Sequence, residues 1–396
     1  MSALILAIAP VLVAVFVMIA GNGLMNTLVP LRATLEGFAA SDIGLIGSSY
    51  FIGMLAGSWA TPIIVRQAGH VRAFAAYAAV VAVAALAFPI VVSPAPWMVA
   101  RGLVGFCFAG LYAIVESWIS VKAGPTHRGR MLGLYNIANF SGSAAGQQTL
   151  RFMDAKDFGA FSAAASFLML SLIPMAVTKA EPPPLPPKGQ LRIRELYRSS
   201  IISIVTIVLL GFANGSFWSI VPAYVEHLQL GPGTVASFMT AVIIGSALSP
   251  YPVGRLSDHF DRRIVIAVAS GLAMIAEIAM TLSHSTTPII LYALGFSIGA
   301  TIPVLYPLVS ALSVDRLGAE KAVSVSSTLL FLYCTGAILG PVLAATMMTA
   351  FGDGMLFAQN AIAHAIITGF IIWRLRGERT PPSHHHDVMS EERPLQ

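Results

Sequence analysis

Two ionisable side chains lie inside one long apolar stretch of this sequence, residues 97–121. The stretch has 25 residues and contains Arg101 and Glu116. As a helix, it would cross the roughly 30 Å hydrocarbon core of a bilayer. At 100° per residue, Arg101, Gly105, Tyr112 and Glu116 share one stripe of that helix. Because charges at membrane depth are tolerated only against protein or water, we expect this stripe to face a wet cavity or partner helices.

Arg101 and Glu116 cannot neutralise each other on one helix, since 15 residues of helix separate them by roughly 22 Å. Each therefore needs a partner from elsewhere in the chain. For Arg101, one interpretation is a long side chain that reaches the membrane surface. For Glu116, one interpretation is an anchor that pairs with Arg128 or Arg130 in the next loop. The other is a buried proton carrier, because a carboxyl withdrawn from water can bind and release a proton.

The composition predicts an all-α polytopic membrane protein. Of its 396 residues, 56% are hydrophobic and 10% are charged, whereas soluble proteins carry about 25% charged residues. The mean hydropathy is +0.79. Cys107 and Cys334 both lie in apolar runs, so we expect neither a disulfide nor a zinc site. Residues 1–30 lack a basic leader and are expected to begin the first span rather than a cleavable signal.

Twelve transmembrane helices are expected from the apolar runs, since a segment in lipid must satisfy its own backbone hydrogen bonds. The predicted spans are 5–30, 43–65, 73–93, 97–121, 131–150, 158–178, 200–222, 234–254, 264–283, 287–311, 322–350 and 354–375.

The basic residues predict the orientation, because short cytoplasmic loops are enriched in lysine and arginine. With the N-terminus inside, the opposite side holds only Arg32, Arg151 and Lys156. Both termini are then cytoplasmic, and we expect a multi-pass protein of the inner (cytoplasmic) membrane. The formal net charge of +5 follows from this asymmetry, so no nucleic-acid partner is expected. The cytoplasmic set is Arg66, Arg72, Lys122, Arg128, Arg130, Lys179, Lys188, Arg192, Arg194, Arg198, Arg255, Arg262, Arg263, Arg316, Lys321 and the tail arginines from Arg374 onward.

The chain is expected to divide once, at the proline-rich and basic segment 179–199. A proline run is extended and cannot continue a helix, so this segment is predicted to be a cytoplasmic linker. It separates an N-terminal six-helix bundle, 1–178, from a C-terminal six-helix bundle, 200–375. The polar tail, 376–396, is expected to be disordered.

The two halves are internal repeats. Corresponding positions recur in order at nearly one offset, which predicts two parallel six-helix repeats with a site at their interface, as in transporters. At a shift of 192 the matching pairs are Asn22-Gly23 with Asn214-Gly215, Val29-Pro30 with Val221-Pro222, and Gly53 with Gly245. At a shift of 194 they are Leu111-Tyr112 with Leu305-Tyr306, Val115 with Val309, Gly142 with Gly336, and Gly146 with Gly340. Ser310 occupies the position of Glu116, so the repeat itself does not require this charge.

One loop of the second half carries a recognisable signature. Residues 254–263 read GRLSDHFDRR, which resembles the G-x-L-x-D-R-x-G-R-R loop of the major facilitator superfamily. Asp261 stands where that loop usually has its second glycine. In the first half, residues 66–72 keep Gly69 and Arg72, but Arg66 replaces the expected acid. The segment Arg101 to Gly105 is similar to the superfamily's R-x-x-x-G motif in span four. NTLVPL, SSYF, VES and RGRML, at 26–31, 48–51, 115–117 and 128–132, resemble the YcaD-like branch.

This resemblance implies the major facilitator fold, with spans one, four, seven and ten lining a central cavity. It makes Arg101 a cavity arginine that binds an anionic group or tunes a proton site. It also implies a gating loop, composed of Gly254, Asp258, Arg262, Arg263, Arg66, Gly69 and Arg72. The candidates for the substrate cavity are Asn22, Asn26, Tyr112, Asn136, Asn139, Asn214, Trp218 and Tyr306. For the amides, helix-to-helix hydrogen bonding is an equally open interpretation.

Two further features limit the functional choices. Span five lacks the G-P-x-x-G-G pattern of antiporters, reading instead Gly142-Ser-Ala-Ala-Gly146, which argues against the usual type of drug exporter. Glu277 and His364 are expected within peripheral spans nine and twelve, where a structural pair is the simplest interpretation. We find neither a phosphate-binding loop for ATP nor metal-ligand spacing, so no enzyme activity and no cofactor are expected.

We therefore expect a monomeric secondary transporter that moves a small organic solute by alternating access, with protons as the driving ion. A transport-inactive sensor or scaffold of the same fold is the alternative from another class, and the altered loop at Arg66 favours it. Passive uniport is a lesser alternative.

The predicted orientation can be tested with reporter fusions. A reporter fused after Gln396 should be cytoplasmic, and one inserted in loop 151–157 should be periplasmic, because the basic residues are concentrated on the other side. The reverse pattern would contradict the orientation.

Overall fold

A computed structural model of the chain describes residues 2–177, 190–283 and 287–377, and within these ranges the chain is helical with no strand. The predicted all-α class is therefore confirmed. The first half of the proline-rich linker and nearly all of the tail lie outside the described residues. The α-helices are α1 Ser2–Leu35, α2 Ala40–Ala68, α3 His70–Ala87, α4 Pro94–Thr149, α5 Phe158–Leu170, α6 Leu172–Val177, α7 Ile193–Ser199, α8 Ile201–His227, α9 Pro232–Leu248, α10 Pro250–His259, α11 Arg262–Leu282, α12 Pro288–Thr301, α13 Leu305–Leu317, α14 Ala322–Phe351 and α15 Met355–Gly377, with short 3₁₀ turns at Leu150–Phe152 and Ala319–Lys321.

Eleven helical segments in the described ranges are long and apolar enough to cross a membrane. They correspond to all the predicted spans except the fifth, 131–150. That segment carries four side-chain amides, which lower its mean hydropathy. It is helical nevertheless, as the second part of α4.

Helix α4 is continuous in its backbone pattern over 56 residues, yet it folds back on itself. The Tyr135 hydroxyl lies 3.3 Å from the Glu116 carboxylate, although 19 residues of straight helix would span roughly 28 Å. The chain therefore reverses between these two residues. We call residues 94–120 the first limb of α4 and residues 131–149 its second limb, and these limbs are the predicted spans four and five.

Two other predicted spans are broken at prolines, as expected from the missing N–H group and the ring clash of proline. Span eight consists of α9 and α10, which meet at Ser249 and Pro250. Span ten consists of α12 and α13, with Pro303 between them. These breaks shape the C-terminal half without ending either span.

Close backbone contacts confirm the repeat alignment in three dimensions. A Cβ at Gly146 would lie 2.0 Å from the carbonyl oxygen of Ala20, and one at Gly340 would lie 2.0 Å from that of Phe212. The residue numbers of the two glycines differ by 194 and those of their partners by 192, and these are the offsets of the sequence repeat. Only glycine allows the backbones of these helices to approach so closely. Span one thus packs on span five as span seven packs on span eleven.

The hydrophobic core has two parts, one drawn almost entirely from α1–α6 and the other almost entirely from α7–α15. Each half therefore has its own packed interior. We call the side of the molecule that carries the linker and the ends of α2, α10 and α13 the linker face. The side that carries loops 36–39, 88–93 and 228–231 is the opposite face.

The two halves meet near the opposite face. Ser48, in the third turn of α2, donates a hydrogen bond to the carbonyl of Ile338 at 2.6 Å. Gln148, at the end of α4, donates one to the Thr240 hydroxyl at 2.7 Å. Along spans two and eleven the contact extends inward as far as Trp59, which stacks on Phe331 with 6.2 Å between ring centroids.

Spans five and eight separate toward the linker face. Ile137 lies on the same side of its helix as Gln148, and its side chain is 65% exposed. Leu248 and Tyr251 lie nearer the linker face than Thr240 on span eight, and they are 61% and 73% exposed. A crevice between the halves is therefore open at the linker face and closed at the opposite face.

Candidate functional site

Arg101 is buried between spans one, two and four. Its side chain donates a hydrogen bond through Nη2 to Asn26 Oδ1 at 2.7 Å. The guanidinium carbon lies 4.6 Å from the centroid of the Tyr50 ring, a cation–π distance. Because the residue is only 6% exposed, the interpretation of a side chain reaching the membrane surface is wrong. The reason is that its partners lie inside the protein.

One nitrogen of Arg101 is left without a hydrogen bond. Nη1 is buried and has no partner among the described residues. Arg101 borders a cavity of about 10 Å³ that is also lined by Gly47 and Ser219, at the contact between the halves. Such a volume holds about one water molecule. Arg101 therefore lies at the closed end of the crevice and leaves no room there for a larger anion.

Glu116 has a different environment from the one predicted. Its Oε1 atom accepts a hydrogen bond from the Tyr135 hydroxyl at 3.3 Å, but the side chain is exposed rather than buried. The carboxylate is surrounded by protein on most sides and still reached by solvent. This combination places it on the wall of the crevice. The physical reason is the separation of the halves at the linker face, which leaves this part of span four uncovered.

The anchor interpretation of Glu116 stays a prediction, because the Arg128 side chain lies outside those the structure describes. Glu116 makes no ion pair with any side chain that is described. Across the crevice, the Tyr306 hydroxyl of α13 lies within electrostatic reach of Glu116. A residue of the N-terminal half and one of the C-terminal half are therefore near each other at the centre of the protein.

Asparagines and tyrosines from both halves are paired at the centre. Asn22 Nδ2 donates a hydrogen bond to the Tyr112 hydroxyl at 3.3 Å and also lies against the Tyr50 hydroxyl. In the other half, its repeat mate Asn214 lies beside Tyr333. These amides therefore both join helices and face the central region, so the two interpretations left open for them are compatible.

Tyrosines make up much of this central region. Tyr306 and Tyr333 meet edge to face, with 5.6 Å between ring centroids. Sequence analysis identified Tyr112 and Tyr306 but missed Tyr50, Tyr135 and Tyr333. The missed residues lie on spans two, five and eleven, which the family resemblance did not assign to the cavity. A search for tyrosines within otherwise apolar spans would have found them.

The remaining candidates for the substrate cavity make fewer contacts with other polar side chains. Asn139 lies beside the Tyr135 hydroxyl. Asn136 is exposed, and no hydrogen bond joins it to another described residue. Trp218 is half-buried and packs edge to face on Phe217 at 5.6 Å. In span five, Gln147 hydrogen-bonds with Thr27 of span one, so that amide joins helices.

The signature loop of the C-terminal half is organised by its own charges. Arg262 pairs with Asp315 at 2.8 Å, and Arg263 pairs with Asp261 at 2.7 Å. Asp261 caps α11 by accepting a hydrogen bond from the backbone N–H of Arg263, which explains an acid where glycine is usual. Hydrogen bonds from the Arg263 side chain lower the pKa of Asp261 below its usual range.

Asp258, a member of the gating loop, makes no charged contact with the N-terminal half among the described residues. It is exposed and has no ion pair within the described ranges. Arg66 and Arg72 are likewise exposed. Gly69 has φ +82°, a left-handed conformation that favours glycine, and Gly254 is half-buried. Because the halves are apart at the linker face in this conformation, no described basic side chain of the N-terminal half reaches Asp258.

Glu277 and His364 form the expected pair between spans nine and twelve. His364 Nδ1 lies 2.8 Å from Glu277 Oε2, and both side chains are fully buried. They lie away from the central tyrosines, on α11 and α15. This position fits the structural interpretation.

Comparisons with known proteins agree with this architecture. The sequence profile described as Major Facilitator Superfamily matches residues 11–206 and 203–396. An uncharacterized MFS-type transporter YcaD of Escherichia fergusonii is 24% identical over 362 residues, covering 91% of this chain and 94% of that protein. Among solved structures, the nucleoside transporter NupG gives a TM-score of 0.79 at 12% identity, covering 93% of this chain and 99% of that one. A bacterial homologue of the human lysosomal transporter Spinster, in an inward-facing and occupied conformation, gives 0.76 at 15% identity, covering 96% and 98%.

Because Arg101 is buried and hydrogen-bonded to Asn26, we expect the loss of Asn26 to lower the free energy of unfolding. Asn26→Leu should lower the free energy of unfolding by about 1–3 kcal/mol, because the guanidinium loses its one described hydrogen-bond acceptor. Thermal unfolding of the purified protein measures this. The matched change Asn136→Leu, at an exposed amide, should be close to neutral.

Adding Arg101→Met to Asn26→Leu should recover most of the loss, since replacing both partners by apolar groups can be nearly neutral. Equal unfolding temperatures for Asn26→Leu and Asn136→Leu would contradict the pairing.

Proposed function

The chain belongs to the major facilitator superfamily, and we propose that it is a secondary active transporter of a small organic solute in the cytoplasmic membrane. One observation carries the proposal: a crevice open at the linker face reaches Glu116, while the opposite face is sealed by contacts between the halves. A path that is open on one side only is what a transporter needs in order to avoid leakage. The solute would bind between the halves near the central tyrosines.

Alternating access is the proposed mechanism. The close packing at Gly146 and Gly340 recurs in both halves, and two similar units can rock about a site between them. Contacts that close the opposite face include the hydrogen bonds of Ser48 and Gln148 and the close packing of Gly44 and Gly47 in α2 against Pro341 in α14. Their loss on opening would be offset by new contacts at the linker face, where the exposed Asp258 would find its charged partners.

The proposal includes the orientation of the protein in the membrane and the division of the chain into two halves. With the linker in the cytoplasm, the crevice faces inward, and both termini are cytoplasmic. The halves are then 1–178 and 200–375, joined by the linker 179–199 and followed by a disordered tail, 376–396. The protein would act as a monomer, because each crevice lies within one chain.

We assign proton coupling to Glu116, with Arg101 as a fixed positive charge that stays in place. Glu116 is the acid that α4 brings to the crevice wall, and solvent reaches it from the open side. A carboxyl that meets water in one conformation and is enclosed in the other exchanges its proton between the two sides. Ser310, its repeat mate, cannot titrate in the same range.

A transport-inactive sensor or scaffold is the second candidate, since Arg66 replaces the usual acid in the N-terminal loop. A solute-dependent proton flux into vesicles would exclude it. Passive uniport would give solute exchange without any proton flux.

Proton coupling through Glu116 predicts a split between two assays. In Glu116→Gln, proton-driven accumulation of the solute should be lost, because glutamine keeps the size but cannot titrate. Exchange of solute across the membrane needs no net proton movement and should persist. Both are measured in proteoliposomes, once a library screen with a pH-sensitive dye has found a transported solute.

Glu320→Gln, at an exposed acid in the turn before α14, is the matched control and should behave like the wild type in both assays. Uphill uptake at the wild-type rate in Glu116→Gln would remove this residue from the coupling mechanism.

A further inference from the structure

We propose that the solute is an organic cation with an apolar body, such as a quaternary amine, whose positive charge binds at Glu116 within the tyrosine wall. This inference rests on the proposed function and names its substrate class. We define the tyrosine wall as Tyr50, Tyr112, Tyr135, Tyr306 and Tyr333.

The charge of the crevice favours a cation. Glu116 is exposed, and no basic side chain within the described set forms an ion pair with it. Tyr135 occupies its Oε1 atom, which holds the carboxylate in place and leaves Oε2 free of hydrogen bonds from described residues. An ionised carboxylate held within protein, with no counter-ion among the described side chains, attracts a cationic ligand.

The opposite charge is withdrawn from the crevice. Arg101 lies roughly 22 Å from Glu116 along the helix, is 6% exposed, and is covered by Asn26 and the Tyr50 ring. Its cavity of about 10 Å³ admits only water. An anionic solute would therefore meet the carboxylate of Glu116 first and find the guanidinium already enclosed.

The tyrosine rings favour a cation with apolar substituents. Aromatic faces attract cations through their quadrupole, most strongly those with little hydration such as quaternary ammonium groups. Tyr306 and Tyr333 come from the C-terminal half, and Tyr306 lies within electrostatic reach of Glu116. The wall therefore approaches the same carboxylate from both halves of the protein.

The amides at the centre are engaged only in part, since Asn22 donates a hydrogen bond through Nδ2 while its buried Oδ1 has no partner among the described residues. Asn22 Nδ2 donates to the Tyr112 hydroxyl, and Asn214 lies beside Tyr333. A sugar-like solute needs several unpaired donors and acceptors in order to replace its bonds to water. Among the described polar groups at the centre, the carboxylate of Glu116 is the strongest acceptor that remains available.

One carboxylate cannot hold a proton and an organic cation at once, so the two should exchange at Glu116. The groups that face it are the hydroxyls of Tyr112, Tyr135 and Tyr306, and phenols are neutral near pH 7. The pH dependence of cation binding should therefore follow Glu116, with weaker binding as the pH falls.

The test measures equilibrium binding of radiolabelled tetraphenylphosphonium to the full-length purified protein. This probe is a permanent cation, so a change in pH alters only the protein. We expect Glu116→Gln to weaken binding about tenfold, Glu116→Asp to retain it within about threefold, and lower pH to weaken binding to the wild type but not to Glu116→Gln. Tyr306→Leu should weaken binding about fivefold while Tyr306→Phe, which keeps the aromatic face, should not. Neutral triphenylphosphine oxide should bind equally to wild type and Glu116→Gln.

Unfolding temperatures of all variants show whether each is folded. Equal tetraphenylphosphonium binding by folded wild type and folded Glu116→Gln would overturn the inference, and so would preferential binding of the neutral probe. If proton-coupled transport of a neutral or anionic solute were found together with absent cation binding, the inference would fail while the proposed function stood. Specific, Glu116-dependent cation binding without any transport or proton flux would support the site and contradict the proposed function.

Discussion

The cost of placing charge within a membrane explains much of this structure. Arg101 and Glu116 lie on one stripe of one helix and are too far apart to neutralise each other, so the surrounding spans must supply separate environments for them. Span one supplies Asn26 and span two supplies Tyr50, and together they enclose the guanidinium. The return of the chain through the second limb of α4 supplies Tyr135 to the carboxylate. One charge is thereby fixed in the protein interior, and the other is left accessible to solvent.

The internal repeat gives the protein two halves with the same helix packing. Glycines at equivalent positions bring the same pairs of spans into close backbone contact in each half. Polar contacts of Ser48 and Gln148 join them at the opposite face, while spans five and eight separate toward the linker face. The chemistry is less symmetric than the scaffold, since Ser310 stands where Glu116 would be repeated. Two similar halves, of which only the first carries this acid, are suited to coupling a proton to a rocking motion.

Much of the fold was predictable from the sequence, because apolar length and a repeated glycine pattern report directly on membrane spans and their packing. The fifth span illustrates a limit of hydropathy, since its amides serve contacts such as that of Gln147 with Thr27. The site was predictable in part. Arg101, Glu116 and Tyr112 were found because they share a helical stripe, but Tyr50, Tyr135 and Tyr333 come from other spans, and only the packing of the helices brings them in. Glu116 is exposed, and Asp258 has no ion-pair partner among the described residues, because the halves are apart at the linker face. The sequence does not specify the distance between the halves in one particular conformation.

Distances across both faces of one molecule test the central claim, that the halves rock about a central crevice. Spin labels at Ser41 and Phe351 would report on the opposite face, and labels at Gln67 and His259 on the linker face, since all four side chains are exposed. The buried Cys107 and Cys334 would first be replaced by serine. Measured by pulsed electron spin resonance in lipid nanodiscs at several pH values and with tetraphenylphosphonium, the two distances should change in opposite directions, one lengthening as the other shortens. Two distances that each keep a single value under every condition would contradict the account.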